Sequence, residues 1–304
     1  MIRTLESLSG SCRRQFCQFV GSLNLEQAPG DCEQLVGQYE SEYYDDGRSY
    51  FTLWDDNEVI GAMGVITREI PARGETFISG VYVREGEVGA LVRLMAEVFR
   101  YLLPHPVETL SLGRASGLGH LDEPLLELGF EEVYRTLELV HAGGTGDLAQ
   151  GSCVELEELS PGNCTHYRRI HNEAFSNAPN GATLSAAGLR ETMESGRLTG
   201  LCLVGGDPVG IYDMHIDGQV GWINDIAVSP DHQGRGIGSA LLVALLEHLH
   251  GEGCAEVRLQ VISANETATK LYTRCGFELE RCISTWYRMD AGPLPVHSPG
   301  RRHR

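Results

Sequence analysis

The second half of the chain shows the clearest periodicity of apolar and polar positions. Short runs near 200–205, 209–216 and 220–228 have the length and composition of strands, and "AEVRLQV" at 255–261 alternates strictly. Between them, the segment 238–250 repeats its apolar residues every three or four positions, which predicts an amphipathic helix. Its apolar stripe consists of Leu241, Leu242, Leu245 and Leu249.

Two further helices are predicted in the segment that precedes these strands. Ser160 followed by Pro161 is typical of a helix start, and this helix should run to about Phe175. A second helix is predicted over 185–194. The order of strands and helices predicts an α/β domain.

The first half of the chain resembles the second. "FISGVYV" at 77–83 matches "WINDIAV" at 222–228, an offset of 145 residues. "LLELGF" at 125–130 matches "LYTRCGF" at 271–277, with its glycines offset by 147. An offset this steady indicates two copies of one structural unit.

A loose stretch, "HAGGTGDLAQGS" at 141–152, separates the two copies and is typical of a linker. We therefore predict one domain over 1–145 and a second over 152–290. The remaining residues, 291–304, are rich in Pro, Arg and His without periodicity, which predicts a disordered tail.

The segment "IAVSPDHQGRGIGSALL" at 226–242 places a glycine loop between a predicted strand and a predicted helix. The first backbone N–H groups of a helix are unpaired and favour an anion, and glycines let the backbone approach phosphate oxygens closely. The P-loop pattern requires a lysine that this loop lacks. The dinucleotide fingerprint requires a glycine where Ser239 stands, and it would follow its strand more closely.

The pattern Gln233-x-x-Gly236-x-Gly238 resembles the pyrophosphate loop of the GNAT superfamily of N-acetyltransferases. "NETATKLYTRCGF" at 265–277 matches the second signature of that family, N-x-x-A-x-x-L-Y-x-x-x-G-F, at every fixed place. The resemblance covers about 160–290 well and 1–140 only as a degenerate copy, as in tandem proteins of the mycothiol-synthase type. It implies the α+β GNAT fold: two tandem GNAT-like domains, each a mixed, largely antiparallel sheet flanked by helices.

The resemblance also implies the roles of individual residues. Acetyl-CoA would be the acyl donor and a small-molecule primary amine the acceptor, with Tyr272 as general acid to the departing thiolate. The pantetheine would pair with the strand backbone, the pyrophosphate would lie on the loop, and Asn265 would contact the pantetheine. The residues implied to bind acetyl-CoA are Ile226, Ala227, Val228, Gln233, Gly234, Arg235, Gly236, Ile237, Gly238, Ser239 and Asn265.

The general base is left open by the sequence. Asp225 precedes the cofactor strand and is our candidate, while Asp213 with His215 shares one strand face, and a relayed water is a further alternative. Gln260, where family members that acetylate protein N-termini tend to carry Glu, cannot act as a base. Acceptor specificity is predicted in the loop 171–184 and the strand 209–216.

The first copy lacks the residues on which this chemistry depends. Its glycine loop is reduced to "REGEV" after Val83, and Leu125 stands where the second copy has Tyr272. We therefore expect one active site, in the second domain. The rival function is a non-catalytic acyl-CoA sensor, which would keep the loop and discard the acid and base.

The composition of the chain limits the kinds of molecule that it is expected to bind. A net charge of −18 and a pI near 5.0 disfavour a nucleic-acid backbone binder and suit a cationic acceptor. None of the nine cysteines has CxxC spacing, and several lie in apolar runs, so they are expected as buried thiols rather than metal ligands. With no apolar run long enough for a membrane span and no leader pattern, we predict a cytoplasmic protein without metal, membrane or nucleic-acid partners.

Overall fold

A computed structural model describes residues 1–292 apart from 27–30, 144–153, 177, 180 and 182. The chain forms two compact units. The first comprises Met1–Arg135 together with the chain from Ile283 onward, and the second comprises Thr136–Cys282. The predicted disordered tail and most of the predicted linker lie outside the described residues.

The first unit is a mixed sheet with helices. Its elements are β1 (Ile2–Thr4), α1 (Gly10–Ser22), α2 (Cys32–Tyr39), β2 (Tyr50–Asp55), β3 (Glu58–Ile66), α3 (Ile70–Arg73), β4 (Glu75–Val83), α4 (Val88–Leu102), β5 (Thr109–Ala115), α5 (Asp122–Glu127) and the start of β6 (Glu131–His141). Strands β1 to β5 pair in chain order, antiparallel except for the parallel pair β4–β5.

The second unit has the same plan. Its elements are β7 (Glu155–Glu158), α6 (Cys164–Phe175), α7 (Ala186–Glu194), β8 (Leu198–Val204), β9 (Asp207–Asp217), β10 (Val220–Val228), α8 (Ile237–Gly251), β11 (Glu256–Ile262), α9 (Glu266–Arg274) and the start of β12 (Glu278–Asp290). Strands β7 to β10 pair in chain order and antiparallel, and β10 pairs with β11 in parallel. Both units are thus mixed, largely antiparallel sheets with helices, as predicted.

The two units do not end at the predicted domain boundaries, 145 and 152, because strands β6 and β12 each contribute residues to both units. Residues Thr136–His141 of β6 pair with Ile262–Val257 of β11, so they belong to the second unit's sheet. Residues Ser284–Asp290 of β12 pair with Ala115–Thr109 of β5 in the first unit's sheet. Strand pairing, which links residues far apart in sequence, decides the membership of each strand.

The internal repeat corresponds to matching elements. Strands β4 and β10 end at the matched residues Val83 and Val228, and each is followed by a helix of 15 residues. Gly129 and Gly276 both adopt left-handed backbone, with φ of 92° and 87°, where α5 and α9 have ended. These positions favour glycine because a Cβ is strained there.

One helix start differs from its prediction. The helix expected from Ser160 begins instead at Cys164, because residues 160–163 form a turn in which the Asn163 side-chain oxygen accepts a hydrogen bond from the Ser160 N–H at 2.8 Å. The α8 leucine stripe is fully buried as predicted and packs in the core of the second unit.

One pair of cysteines differs from the expectation that the cysteines are buried thiols. Cys202, Cys254 and Cys275 are buried thiols as predicted, but Cys17 and Cys32 form a disulfide that links α1 and α2. Disulfides persist mainly in oxidising compartments, so the cytoplasmic location stays a prediction. Among the described helices none is long and apolar enough to cross a membrane.

Candidate active site

A cleft opens in the second sheet where two neighbouring strands separate. Strands β10 and β11 pair in parallel only from Val220–Glu256 to Ile223–Leu259. Beyond this point β10 continues along β9 to Val228, while β11 continues along β6 to Ile262. A β-bulge at Asn224 accompanies the separation, as bulges bend and re-aim a strand.

The predicted pantetheine strand, Ile226–Val228, therefore has β9 on one side and the cleft on the other. Among the described residues no ladder joins it to β11, so the backbone of Ile226 on that side is not paired with a neighbouring strand. Buried backbone groups need hydrogen-bonding partners. An extended amide-containing ligand would meet this requirement.

The glycine loop lies directly after this strand. A short 3₁₀ turn at 230–232 leads into it, and the Gln233 side-chain amide donates to the Val228 carbonyl oxygen at 2.9 Å, which fixes the loop to the strand. Gly234 and Gly236 have φ of 74° and 80°, a left-handed conformation that L side chains rarely adopt. The Arg235 guanidinium donates to the Asp231 carbonyl oxygen at 2.9 Å.

Helix α8 begins at the end of the loop. Gly236 is its N-cap, and the first backbone hydrogen bond within the helix runs from the Ala240 N–H to the Gly236 oxygen. The N–H groups of Ile237, Gly238 and Ser239 precede that bond, so they form the electropositive helix start that suits a phosphate. The Ile237 side chain is buried in the core, which restricts this residue to a backbone role.

A cavity of about 410 Å³ lies along the cleft. It is lined by residues of α6 and the following loop, the middle of β10, the second half of β11 and the first turns of α9. These include His171, Phe175, Asn224, Asp225, Ile226, Gln260, Asn265 and Tyr272. The cavity thus collects two of the predicted cofactor residues, both predicted catalytic residues and part of the predicted acceptor loop.

Asn265 and Tyr272 reach the cavity from α9. The Asn265 side-chain oxygen accepts from the Ala268 N–H at 3.1 Å, so this residue caps the helix while lining the cavity. Tyr272 is 7% exposed, and burial together with the nearby Asp225 carboxylate raises the pKa of its phenol to about 12. The hydroxyl therefore keeps its proton at neutral pH, as a general acid must.

Asp225 faces the same cavity from β10. Burial raises the pKa of its carboxyl group, and the Asp213 carboxylate raises it further, while electrostatic interactions with His171 and Arg197 act in the opposite direction. A carboxylate with a raised pKa is a stronger base than an exposed aspartate. It also attracts a cationic amine.

Asp213 and His215, the two side chains that the sequence left as alternative bases, do not line the cavity. Asp213 is 1% exposed and accepts from the Thr199 hydroxyl at 3.0 Å and the Asn224 amide at 2.7 Å, with the Arg197 guanidinium 3.4 Å away. These contacts occupy both of its carboxylate oxygens. The His215 Nδ1 lies 3.0 Å from the same Asn224 amide and is not part of the cavity wall.

His171 is the first residue of the predicted acceptor segment 171–184 and lines the cavity, although the sequence analysis gave it no role of its own. Helix α6 places Tyr167, His171 and Phe175 on one face at intervals of four residues. Their rings are in contact, with centroids 6.5 Å and 4.9 Å apart. This i, i+4, i+8 spacing was a signal available in the sequence.

The matching region of the first unit is filled by side chains. Gly80 stands where the repeat offset places Asp225, and a Cβ on it would lie 2.7 Å from the Tyr39 ring. The His120 imidazole lies 3.1 Å from the carbonyl oxygen of Val83, the residue matched to Val228. Leu125, in place of Tyr272, is fully buried.

Residues 165–277 match the Acetyltransferase (GNAT) family. Over this range the chain is similar to GNAT acetyltransferases. The chain is 32% identical to a mycothiol acetyltransferase of Stackebrandtia nassauensis over 46% of its own length and 48% of that protein. It is 35% identical to an uncharacterized N-acetyltransferase of Methanocaldococcus jannaschii over 29% of its length and 42% of that protein. Each match thus spans less than half of the relative's length.

Solved structures show the same fold along the chain. A GCN5-related N-acetyltransferase from Sphaerobacter thermophilus covers 95% of the chain with a TM-score of 0.69 at 18% identity, and the chain covers 95% of that protein. A tandem GNAT protein from the clavulanic acid biosynthesis pathway covers 96% of it with a TM-score of 0.67 at 15% identity, with 99% of that protein covered. The prediction of a tandem GNAT fold is confirmed.

Proposed function

We propose that this chain transfers the acetyl group of acetyl-CoA to the primary amine of a small molecule. The observation that carries the proposal is the cavity at the separation of β10 from β11, because a strand edge and a buried phenol line it while the glycine loop and the start of α8 follow that same strand. Each of these features matches one part of an acyl-CoA: the amide-containing arm, the pyrophosphate and the thioester sulfur.

In this arrangement the pantetheine arm pairs with the backbone of Ile226–Val228, and Asn265 contacts it from the start of α9. The pyrophosphate lies on the N–H groups between Gln233 and Ser239. The left-handed glycines of the loop keep side chains away from the phosphate oxygens. These donors are fixed before the ligand arrives, which favours both binding and orientation.

The acceptor amine approaches from the side of Asp225 and attacks the thioester carbon. The new C–N bond forms, the C–S bond breaks, and Tyr272 gives its proton to the departing thiolate sulfur. Asp225 provides a negative charge beside the nitrogen, which favours a cationic acceptor. Gln260, on the neighbouring strand, can donate a hydrogen bond to the acceptor but cannot take its proton.

The rival function is an acyl-CoA sensor that binds without turnover. A sensor has no need for a buried phenol with a raised pKa beside a carboxylate, and these two residues therefore favour an enzyme. The two functions differ in whether free thiol is released when an amine is present.

Calorimetric titration with acetyl-CoA tests the donor site directly. We expect one molecule bound per chain, because the corresponding region of the first unit is filled by Tyr39, His120 and Leu125. Thiol release on addition of a panel of primary amines then separates an enzyme from a sensor. Absence of acetyl-CoA binding would refute the proposal.

A further inference from the structure

We propose that His171 is the general base of the reaction, accepting a proton from the acceptor's ammonium group at its Nε2 atom, with Asp225 stabilising the positive charge as it moves. This inference rests on the proposed function and identifies the residue that prepares the amine for attack. The acceptor class that follows is a primary alkylamine that enters the cavity as a cation.

The side chain of Asn172 fixes the proton on the His171 ring. The Leu184 N–H can only donate, so the Asn172 atom 2.8 Å from it is the amide oxygen. The Leu184 carbonyl can only accept, so the Asn172 atom 3.2 Å from it is the amide nitrogen. Both contacts give the same orientation of the Asn172 amide.

The His171 Nδ1 lies 3.2 Å from that same Asn172 oxygen. A hydrogen bond there requires Nδ1 to carry the proton, because the oxygen has none to give. In the neutral ring the lone pair is then on Nε2. The neutral imidazole is thereby held in one tautomer, with Nε2 as the basic atom.

Packing holds the ring at the cavity wall. It lies between Tyr167 and Phe175 on the same helix face, with the Phe175 ring tilted by 55° against it. Asp225 of β10 lines the same cavity and interacts electrostatically with His171. A carboxylate beside an imidazole stabilises the imidazolium that forms when the proton is taken.

The proton balance assigns separate tasks to the two sides of the cavity. An ammonium that becomes an amide nitrogen loses two protons, and the thiolate gains one. His171 takes the first proton before attack and releases it to solvent. Tyr272 gives its proton to sulfur and regains one from the nitrogen, so neither residue is changed after a full cycle.

Two small amines distinguish this role from a structural one. Ethanolamine has an ammonium group which, like that of lysine with a pKa of about 10.4, holds its proton at neutral pH. Hydroxylamine is mostly unprotonated there and needs no base before attack. We expect His171→Gln to lower kcat/KM for ethanolamine by about 100-fold or more and to change that for hydroxylamine by less than about threefold.

His166→Gln is the matched control, since His166 lies on the same helix but is exposed. It should leave both rates unchanged. An equal loss on both amines in His171→Gln, or no loss on either, would overturn the assignment. Failure of the wild-type protein to bind acetyl-CoA would instead refute the proposed function, so the two failures are distinguishable.

The tautomer can be measured without turnover. Long-range ¹H–¹⁵N correlation spectra of the full chain, assigned with His171→Gln, should show the His171 proton on Nδ1 in the neutral ring. Asn172→Ala should release this preference. A proton found on Nε2 in the wild-type protein would contradict the proposal, whatever the kinetics give.

Discussion

Replacing Tyr272 by phenylalanine removes one oxygen atom from a residue that lines the cavity. The ring would stay packed beside Phe277, whose centroid lies 5.9 Å away, and the side chain is already 93% buried, at 7% exposure. Within the described part of the chain its hydroxyl makes no hydrogen bond that the change would break. We therefore expect the stability to change by less than about 1 kcal/mol.

The effect on turnover should be far larger. General acid catalysis contributes about 100- to 10,000-fold, and each tenfold corresponds to about 1.36 kcal/mol of activation free energy. With the phenol pKa raised to about 12, nearly every molecule of the native enzyme carries the proton that the variant lacks. Tyr272→Phe should thus raise the activation barrier by about 3–5 kcal/mol.

The assay is steady-state release of CoA thiol at saturating acetyl-CoA, combined with calorimetric measurement of acetyl-CoA affinity. The affinity should change by less than about threefold, since the phenol acts on the leaving group rather than on the bound donor. Tyr212→Phe is the matched control. Tyr212 is equally buried, with a pKa also raised to about 12, but it does not line the cavity.

Two results would refute the reasoning. If Tyr272→Phe keeps kcat within about threefold of the native value, the phenol does not supply the proton. If Tyr212→Phe loses as much activity as Tyr272→Phe, the loss reflects the general packing of the second unit instead of a specific proton transfer.

Three further predictions concern the loop and the stability of each unit. Gly236→Ala strains the left-handed start of α8 and should weaken acetyl-CoA binding at least tenfold. Gly218→Ala is the control, because Gly218 has a similar φ of 61° in a turn away from the cleft, and it should leave the affinity unchanged. If the two variants bind acetyl-CoA equally well, the loop is not the phosphate site. Burial lowers the pKa of His141, so the unfolded chain binds a proton at a higher pH than the folded chain does. The Tm should therefore decline as the pH falls below about 6.5. In calorimetric scans His141→Gln should show a smaller decline. The disulfide joins Cys17 to Cys32, 15 positions apart. Cys17→Ser should lower the free energy of unfolding of the first unit by about 3 kcal/mol, measured by denaturant titration. If all nine thiols react with a thiol reagent in the unreduced, denatured protein, the bridge is absent.

Local patterns were sufficient to predict much of the second unit. The short run along 220–228 predicted strand β10 with the observed bounds, and the leucine stripe predicted α8 to within a residue at each end. The glycine loop is also local, because it is a property of a few consecutive residues. Such features are visible in sequence since the physics that creates them acts over one or two turns.

Features that depend on distant pairing were not predicted. The Cys17–Cys32 bridge requires α1 and α2 to lie side by side, and the 15-residue spacing of the two cysteines does not indicate this. Likewise, His171 is 54 positions from Asp225, and only the packing of α6 against the sheet brings both to one cavity. The choice among possible bases therefore needed the structure, which leaves Asp213 enclosed by its own hydrogen-bond donors.

The two copies of the repeat act as an internal comparison for the site. Both sheets contain a parallel pair that separates, and both have a bulge in the strand that precedes the loop. The separation is thus a property of the fold, and it does not by itself make a binding site.

The side chains around the separation are what differ. In the first unit the Tyr39 ring lies against Gly80, its hydroxyl bonds that of Tyr82 at 2.8 Å, and burial raises the pKa of both phenols. In the second unit the position matched to Gly80 is Asp225, and the space in front of it is a cavity. Burial raises the pKa of the Asp225 carboxyl group at this position, so the carboxylate form is disfavoured there relative to an exposed aspartate. The second copy thus has a buried carboxyl group beside a cavity where the first has aromatic packing, and our proposal of one acyl-CoA site per chain depends on this difference.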